Sequence, residues 1–209
     1  MGQPTAIEAP ASLWTYAFRQ LLCVEFLGHA SCQMILPILP LFITTIGGEE
    51  SAVGLLVGVG TVSASVFRPF AGWMVDSFGR RPFLLVGLAI FSLSTPFYSL
   101  ATVFSALISL RIIQGFGWAT FSPALAMMTA DVIPRNRRGE GIGYMSSARS
   151  LALAIGPAAG LYLSQAFGYG ASFALASATC LLGLPVCWPI PEAYTPPKVP
   201  PRFLMRDLI

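Results

Sequence analysis

The sequence predicts an all-α protein that crosses a membrane six times, and three observations carry that prediction. Only 10% of the 209 residues are charged, against about 25% in a soluble domain, so the chain lacks the polar surface a soluble fold needs. A hydrophobic content of 55% and a mean hydropathy of +0.72 agree. The apolar residues also gather into segments long enough to cross a bilayer, which takes roughly 20 residues per helix. Helices are the expected form of those segments, because lipid offers no water to an unpaired backbone amide.

Residues 1–15 form a mixed amino-terminal segment whose single charge is Glu8. No basic leader is followed there by a short apolar core and a small-residue cleavage site, so no signal peptide is expected. Six spans follow, at residues 16–43, 52–75, 82–101, 103–130, 141–163 and 171–190. The first and fourth exceed the minimum length, and Pro37, Pro40 and Pro123 fall inside them, so tilt or kinking is expected. Residues 16–190 thus read as one transmembrane bundle. Residues 191–209 read as a linker: the chain turns polar and rich in proline, then restarts as Arg202-Phe-Leu-Met-Arg206-Asp-Leu-Ile209.

Basic residues outside the spans fall in alternate loops. Arg80 and Arg81 follow the second span, Arg135, Arg137 and Arg138 the fourth, and Lys198, Arg202 and Arg206 the sixth. The loops between the other spans hold no Lys or Arg. Short loops rich in these residues stay in the cytoplasm, which places both termini there and the protein in the cell (inner or plasma) membrane. The net charge of +3 is then a topological signal and gives no case for a nucleic-acid partner. Cys23, Cys32, Cys180 and Cys187 lie inside the spans with no CxxC and no Cys/His cluster, so a packing role is expected and no metal or cofactor.

The turn after the second span reads Gly72-Trp-Met-Val-Asp76-Ser-Phe-Gly79-Arg80-Arg81-Pro82. A small residue at 72 would let helices approach, Asp76 sits at the cytoplasmic helix end, and Gly79 allows a tight reversal. The fourth span carries Arg111-Ile-Ile-Gln114-Gly115-Phe-Gly117, and the fifth carries Gly143 and Gly156-Pro157-Ala158-Ala159-Gly160. The first string resembles G-x-x-x-D-x-x-G-R/K-R/K, the signature of the major facilitator superfamily at the same place between second and third helices. The second resembles that superfamily's R-x-x-Q-G-x-G pattern, with Trp118 where a small residue is common. The third resembles the glycine–proline motif of its proton-coupled antiporters, although Ala152 and Leu161 replace two glycines. The resemblance implies six helices in two inverted three-helix repeats, one half of a twelve-helix rocker-switch transporter. The P-x-A-G tetrads at Pro69 and Pro157, on the second and fifth spans, fit such a repeat. It also implies a cytoplasmic charge network joining Asp131 and the Arg137-Arg138-Gly139 loop to the turn from Asp76 to Arg81. The chain is then expected to stop short of a second six-helix half, or to pair with another half-transporter.

Independently of any family, Glu25, Arg68, Arg111 and Arg149 lie well inside the apolar segments. At 1.5 Å per residue, Glu25 is roughly 14 Å from the inner start of its helix and Arg111 roughly 12 Å from the outer start of its own, so both are near mid-depth. A charge at the helix centre costs at least about 2.5–3.5 kcal/mol, so these four should face a watery cavity or one another. His29 follows Glu25 by four residues and shares its face. Burial favours a neutral carboxyl and a nearby arginine a charged one, so a conformational change that alters the balance would bind and release a proton. Glu25 with Arg111 is the expected coupling pair, set against a static ion pair that fixes helix register. For His29 a hydrogen-bonded packing role is the plainer expectation. Arg68, two turns before Asp76, fits a cytoplasmic gate as well as a substrate site. Three intramembrane arginines against one glutamate favour an anionic or zwitterionic small molecule, or an acid from a partner half.

Enzyme chemistry finds no support: there is no nucleophile–base pair and no G-x-x-x-x-G-K-S/T phosphate loop. The expected function is transport of a small molecule by alternating access, with proton-coupled efflux (antiport) ahead of proton-coupled uptake. A non-transporting membrane sensor of transporter descent is the other class left open.

Overall fold

The computed structural model describes residues 12–101, 103–192 and 194. Six long helices account for most of them: α1 (Tyr16–Thr45), α2 (Glu50–Phe78), α3 (Arg80–Ser94), α4 (Phe104–Val132), α5 (Arg138–Phe167) and α6 (Tyr169–Cys187). Each overlaps one of the six expected spans. Short 3-10 turns at Thr95–Leu100 and Arg135–Arg137 complete the order. The amino-terminal segment up to residue 11 and the tail with Lys198, Arg202 and Arg206 lie outside the described residues.

Five stretches are long and apolar enough to cross a membrane: α1, α2 from Ser51, α3 with its 3-10 turn, α5 with the turn before it, and α6. In α4, 29 residues long, Arg111 and Gln114 dilute an otherwise apolar sequence. Local chemistry sets the ends. Thr15 caps α1 by accepting the Phe18 amide at 3.2 Å. The third span, expected as one helix over 82–101, changes at Thr95 into a 3-10 turn. Pro96 in the first turn of that segment has no amide to continue the α-helical ladder. Gly79 alone separates α2 from α3 and Gly168 alone separates α5 from α6, with φ of 103° and 85°. Both reversals use the left-handed backbone that glycine adopts without penalty.

The packing is reciprocal. α1 lies along α5 and α6, α4 lies along α2 and α3, and α3 and α6 touch each other. α1 is the central helix, with 56% of its apolar stretch buried, whereas α2 and α5 bury only 17% of theirs and so flank the bundle. Polar side chains stitch the helices by donating to carbonyls across the contact. Ser31 reaches Ala176 at 2.6 Å, Ser63 reaches Ile112 at 2.9 Å, and Ser177 reaches Ser92 at 2.7 Å.

Glycines set the closest approaches. A Cβ on Gly87 of α3 would stand 2.7 Å from the Gly117 carbonyl and 2.8 Å from the Phe121 amide of α4. On Gly115 it would meet Ser63 of α2, and on Gly156 and Gly160 it would meet the α1 backbone. Gly72 and Gly143 contrast with these: a Cβ at either meets nothing within 4 Å among the described residues.

Gly87→Ala is expected to destabilise the protein by about 1–3 kcal/mol, since backbone rather than a mobile side chain blocks the methyl. Gly143→Ala is expected to be neutral or to add up to about 1 kcal/mol through helix propensity. Thermal unfolding of both variants in detergent checks the contrast.

Candidate functional site

Two polar clusters occupy the middle of the bundle. In the first, Glu25 is 2% exposed, and its Oε1 accepts the Arg149 Nε–H at 2.7 Å. His29, one turn further along α1, places Nδ1 3.4 Å from the same oxygen and 3.0 Å from the Glu25 main-chain carbonyl. With its proton on Nδ1, His29 donates to Glu25. The His29 ring stands edge-on to Trp118 at 4.9 Å. Gly156 and Gly160 bring α5 against α1, and that contact delivers Arg149 to Glu25.

The second cluster joins α4 to the 3-10 turn after α3. Gln114 accepts the Tyr98 hydroxyl at 2.8 Å and donates to Thr95 at 3.2 Å. Arg111 reaches the same Gln114 oxygen through Nη1 at 3.4 Å. The sequence reading paired Glu25 with Arg111. The structure instead pairs Glu25 with Arg149, because α1 lies along α5 while Arg111 projects from α4 towards α2, its side chain against Gly60.

Each cluster borders a cavity. The larger, about 320 Å³, lies between α1, α2 and α4 and is lined by His29, Cys32, Gln33, Arg68, Arg111 and Trp118 among others. The second, about 300 Å³, lies between α1, α4 and α5, with Glu25, Arg149 and Arg138 in its wall. The Glu25–His29 pair therefore spans from one cavity to the other, Glu25 on the second and His29 on the first. Arg68 falls on the first cavity, with no ion pair among the described residues.

The turn between α2 and α3 is a third polar assembly. Arg80 forms an ion pair with Asp131 at the end of α4 and donates to the Met127 carbonyl at 3.2 Å. Arg81 donates to the Trp188 carbonyl beyond α6, and Asp76 offers its main-chain oxygen to the Tyr194 hydroxyl at 2.9 Å. Arg137 pairs with Glu140 on its own turn. Glu192, which the sequence reading did not single out, accepts the Arg80 and Arg81 amides at 3.0 and 2.7 Å. It caps α3 across the bundle, where Gly79 has no side chain to do so. A lone acid just beyond the last helix, on the side of an uncapped helix start, was the available signal. Four cysteines are free, and no group of three potential metal ligands occurs among the described residues.

The family model for the Major Facilitator Superfamily matches residues 21–206. The chain belongs to that superfamily. The family and the relatives below are transporters, not enzymes. It is 35% identical over 162 residues to multidrug resistance protein 2 of Bacillus subtilis (strain 168), covering 78% of this chain and 40% of that protein. It is 29% identical over 140 residues to the quinolone resistance protein NorA of Staphylococcus aureus (strain MRSA252), covering 67% of this chain and 36% of that protein. The chain thus spans about two fifths of the length of these relatives. Among solved structures it is similar to the POT family transporter PepTSo, with a TM-score of 0.74 and 16% identity over 84% of this chain and 37% of that one. It is also similar to the peptide transporter POT in complex with sulfate, with a TM-score of 0.73 and 18% identity over 82% and 37% of the two chains. At those identities the likeness is one of fold.

Glu192→Ala is expected to cost about 1 kcal/mol, as the loss of an N-cap does. Glu192→Gln should recover part of it, since the amide oxygen still accepts. Unfolding midpoints in detergent at matched pH test both.

Proposed function

We propose that the six helices form one half of a secondary transporter that exports small amphiphilic molecules by alternating access in exchange for protons. Glu25 is the proton-coupling residue in this reading. The observation that carries it is a nearly inaccessible carboxylate on one cavity, held by an arginine on a different helix and by a histidine that lines the other cavity. When α1 and α5 hold together, Arg149 is paired with Glu25. Movement that draws α5 away breaks that pair, and in this reading the proton is exchanged at that step. His29 then stands between the Glu25 carboxyl and the cavity holding the solute. Efflux is supported by the names of the relatives, which are resistance proteins.

The reciprocal packing of α1 with α5 and α6, and of α4 with α2 and α3, supports two inverted three-helix repeats. The flanking positions of α2 and α5 fit a second six-helix half, in the same polypeptide or another, which would supply the facing wall of the path. Arg80, Arg81, Arg135, Arg137 and Arg138 occur at one end of the bundle, and the turns at the other end hold no Lys or Arg among the described residues. This supports a cytoplasmic location for both termini. The Arg80–Asp131 pair and the Glu192 cap would brace that face when it is closed to the cytoplasm. Residues 191–209 would run on as the linker.

The test uses inside-out vesicles and a fluorescent quinolone under an imposed pH gradient. Glu25→Gln should cut gradient-driven accumulation at least tenfold while leaving downhill exchange of the quinolone measurable. Accumulation that persists with an unaltered pH dependence removes Glu25 from the coupling step. Absence of any flux in the unaltered protein when a second half is present favours the sensor reading.

A further inference from the structure

Arg111 is a buried cation with no counter-ion among the described residues, its guanidinium 6.0 Å over the Tyr98 ring. It is 7% exposed, and its one hydrogen bond runs through Nη1 to the neutral Gln114. Its Nε and Nη2 are fully enclosed and bond to nothing among the described residues. An isolated guanidinium at mid-membrane depth is costly, and removal of one partner from a buried pair leaves the kind of uncompensated charge seen here. Glu25, the buried acid among the described residues, is already engaged by Arg149 and His29. The cavity of about 320 Å³ into which Arg111 is built has Arg68 as its second cation and no Asp or Glu in its wall among the described residues. Its remaining polar groups include the Gln33 amide, and its aromatic side is made by Phe91 and Trp118, whose rings lie 6.2 Å apart.

We infer that this cavity is an organic-anion site in which Arg111 binds a carboxylate and the Phe91–Trp118 wall takes an aromatic body. A carboxylate accepts two parallel N–H bonds from a guanidinium fork, which answers the two unpartnered nitrogens at once. Arg68, at the exposed edge of the same cavity, adds attraction without burying a second charge. The volume suits a one- or two-ring ligand. The inference rests on the reading that this cavity faces the transported solute, and it deepens that reading by naming the chemical class of the solute's head group.

The test is equilibrium binding, without a gradient, so it does not depend on whether Glu25 couples protons. Calorimetry of the detergent-solubilised protein would compare 2-naphthoate with the equally sized cation 2-naphthylmethylammonium. The expected result is binding of the naphthoate at least tenfold tighter than the ammonium. Arg111→Gln should weaken naphthoate at least tenfold and Arg111→Lys by less, with a smaller loss for Arg68→Gln. Should Arg111→Gln fail to fold by its thermal unfolding curve, Arg68→Gln and Arg111→Lys still carry the comparison. The proposal is overturned if the ammonium binds as tightly, if neither probe binds, or if naphthoate affinity is indifferent to the substitutions at both arginines. A loss of transport in Arg111→Gln with naphthoate binding intact also overturns it, since Arg111 then answers an acid elsewhere in the transporter.

Discussion

Helices in lipid gain little by hiding apolar surface from one another, because the acyl chains are as apolar as the side chains. Association must come from close contact, and close contact needs residues without bulk. Gly87 against Gly117 fixes α3 on α4, Gly115 against Ser63 fixes α4 on α2, and Gly156 with Gly160 fixes α5 on α1. The polar chemistry of the bundle is set by these approaches. Glu25 meets Arg149 only because the two α5 glycines let that helix lie on α1, and Arg111 is directed towards α2 by the contact of Gly115 with Ser63. A methyl group at any of these points would move a charge as well as a helix.

The resulting interior is divided. One polar cluster is internally neutralised, with a carboxylate, an arginine and a histidine. The other is a hydrogen-bonded frame of Tyr98, Gln114 and Thr95 that holds a guanidinium in place without cancelling its charge. Trp118 and His29 join the two regions through an edge-on ring contact. A static scaffold would be better served by neutralising both charges. Leaving one unanswered beside an open cavity is consistent with a site whose counter-ion comes and goes.

Much of the fold was legible in the sequence because long apolar segments are marked by composition, and each expected span overlaps a helix, although the third turns 3-10 at Thr95. The turn at Gly79 was legible in its own residues, whereas a link from Asp131 to that turn was implied only by the superfamily resemblance. The partner of Glu25 was not legible. Depth along a helix can be counted from sequence, and it placed Glu25 and Arg111 at similar levels, but depth does not say which helices are neighbours. That depends on which glycines face inward. Gly72 and Gly143 sit in motifs as conspicuous as Gly156 and Gly160, yet a Cβ on either would meet no neighbour among the described residues, and helices this uniformly apolar have no periodicity to reveal the difference. Glu192 escaped notice because its role is to cap a helix begun more than a hundred residues earlier.

That cap has a mechanical side. Glu192 holds the first amides of α3, the Arg80 guanidinium lies 4.4 Å over the Tyr194 ring, and the Tyr194 hydroxyl is bonded to the end of α2. The segment leaving α6 is thereby moored to the hairpin formed by the second and third helices. A force carried along the chain at Tyr194 is therefore delivered to that hairpin as well as to α6.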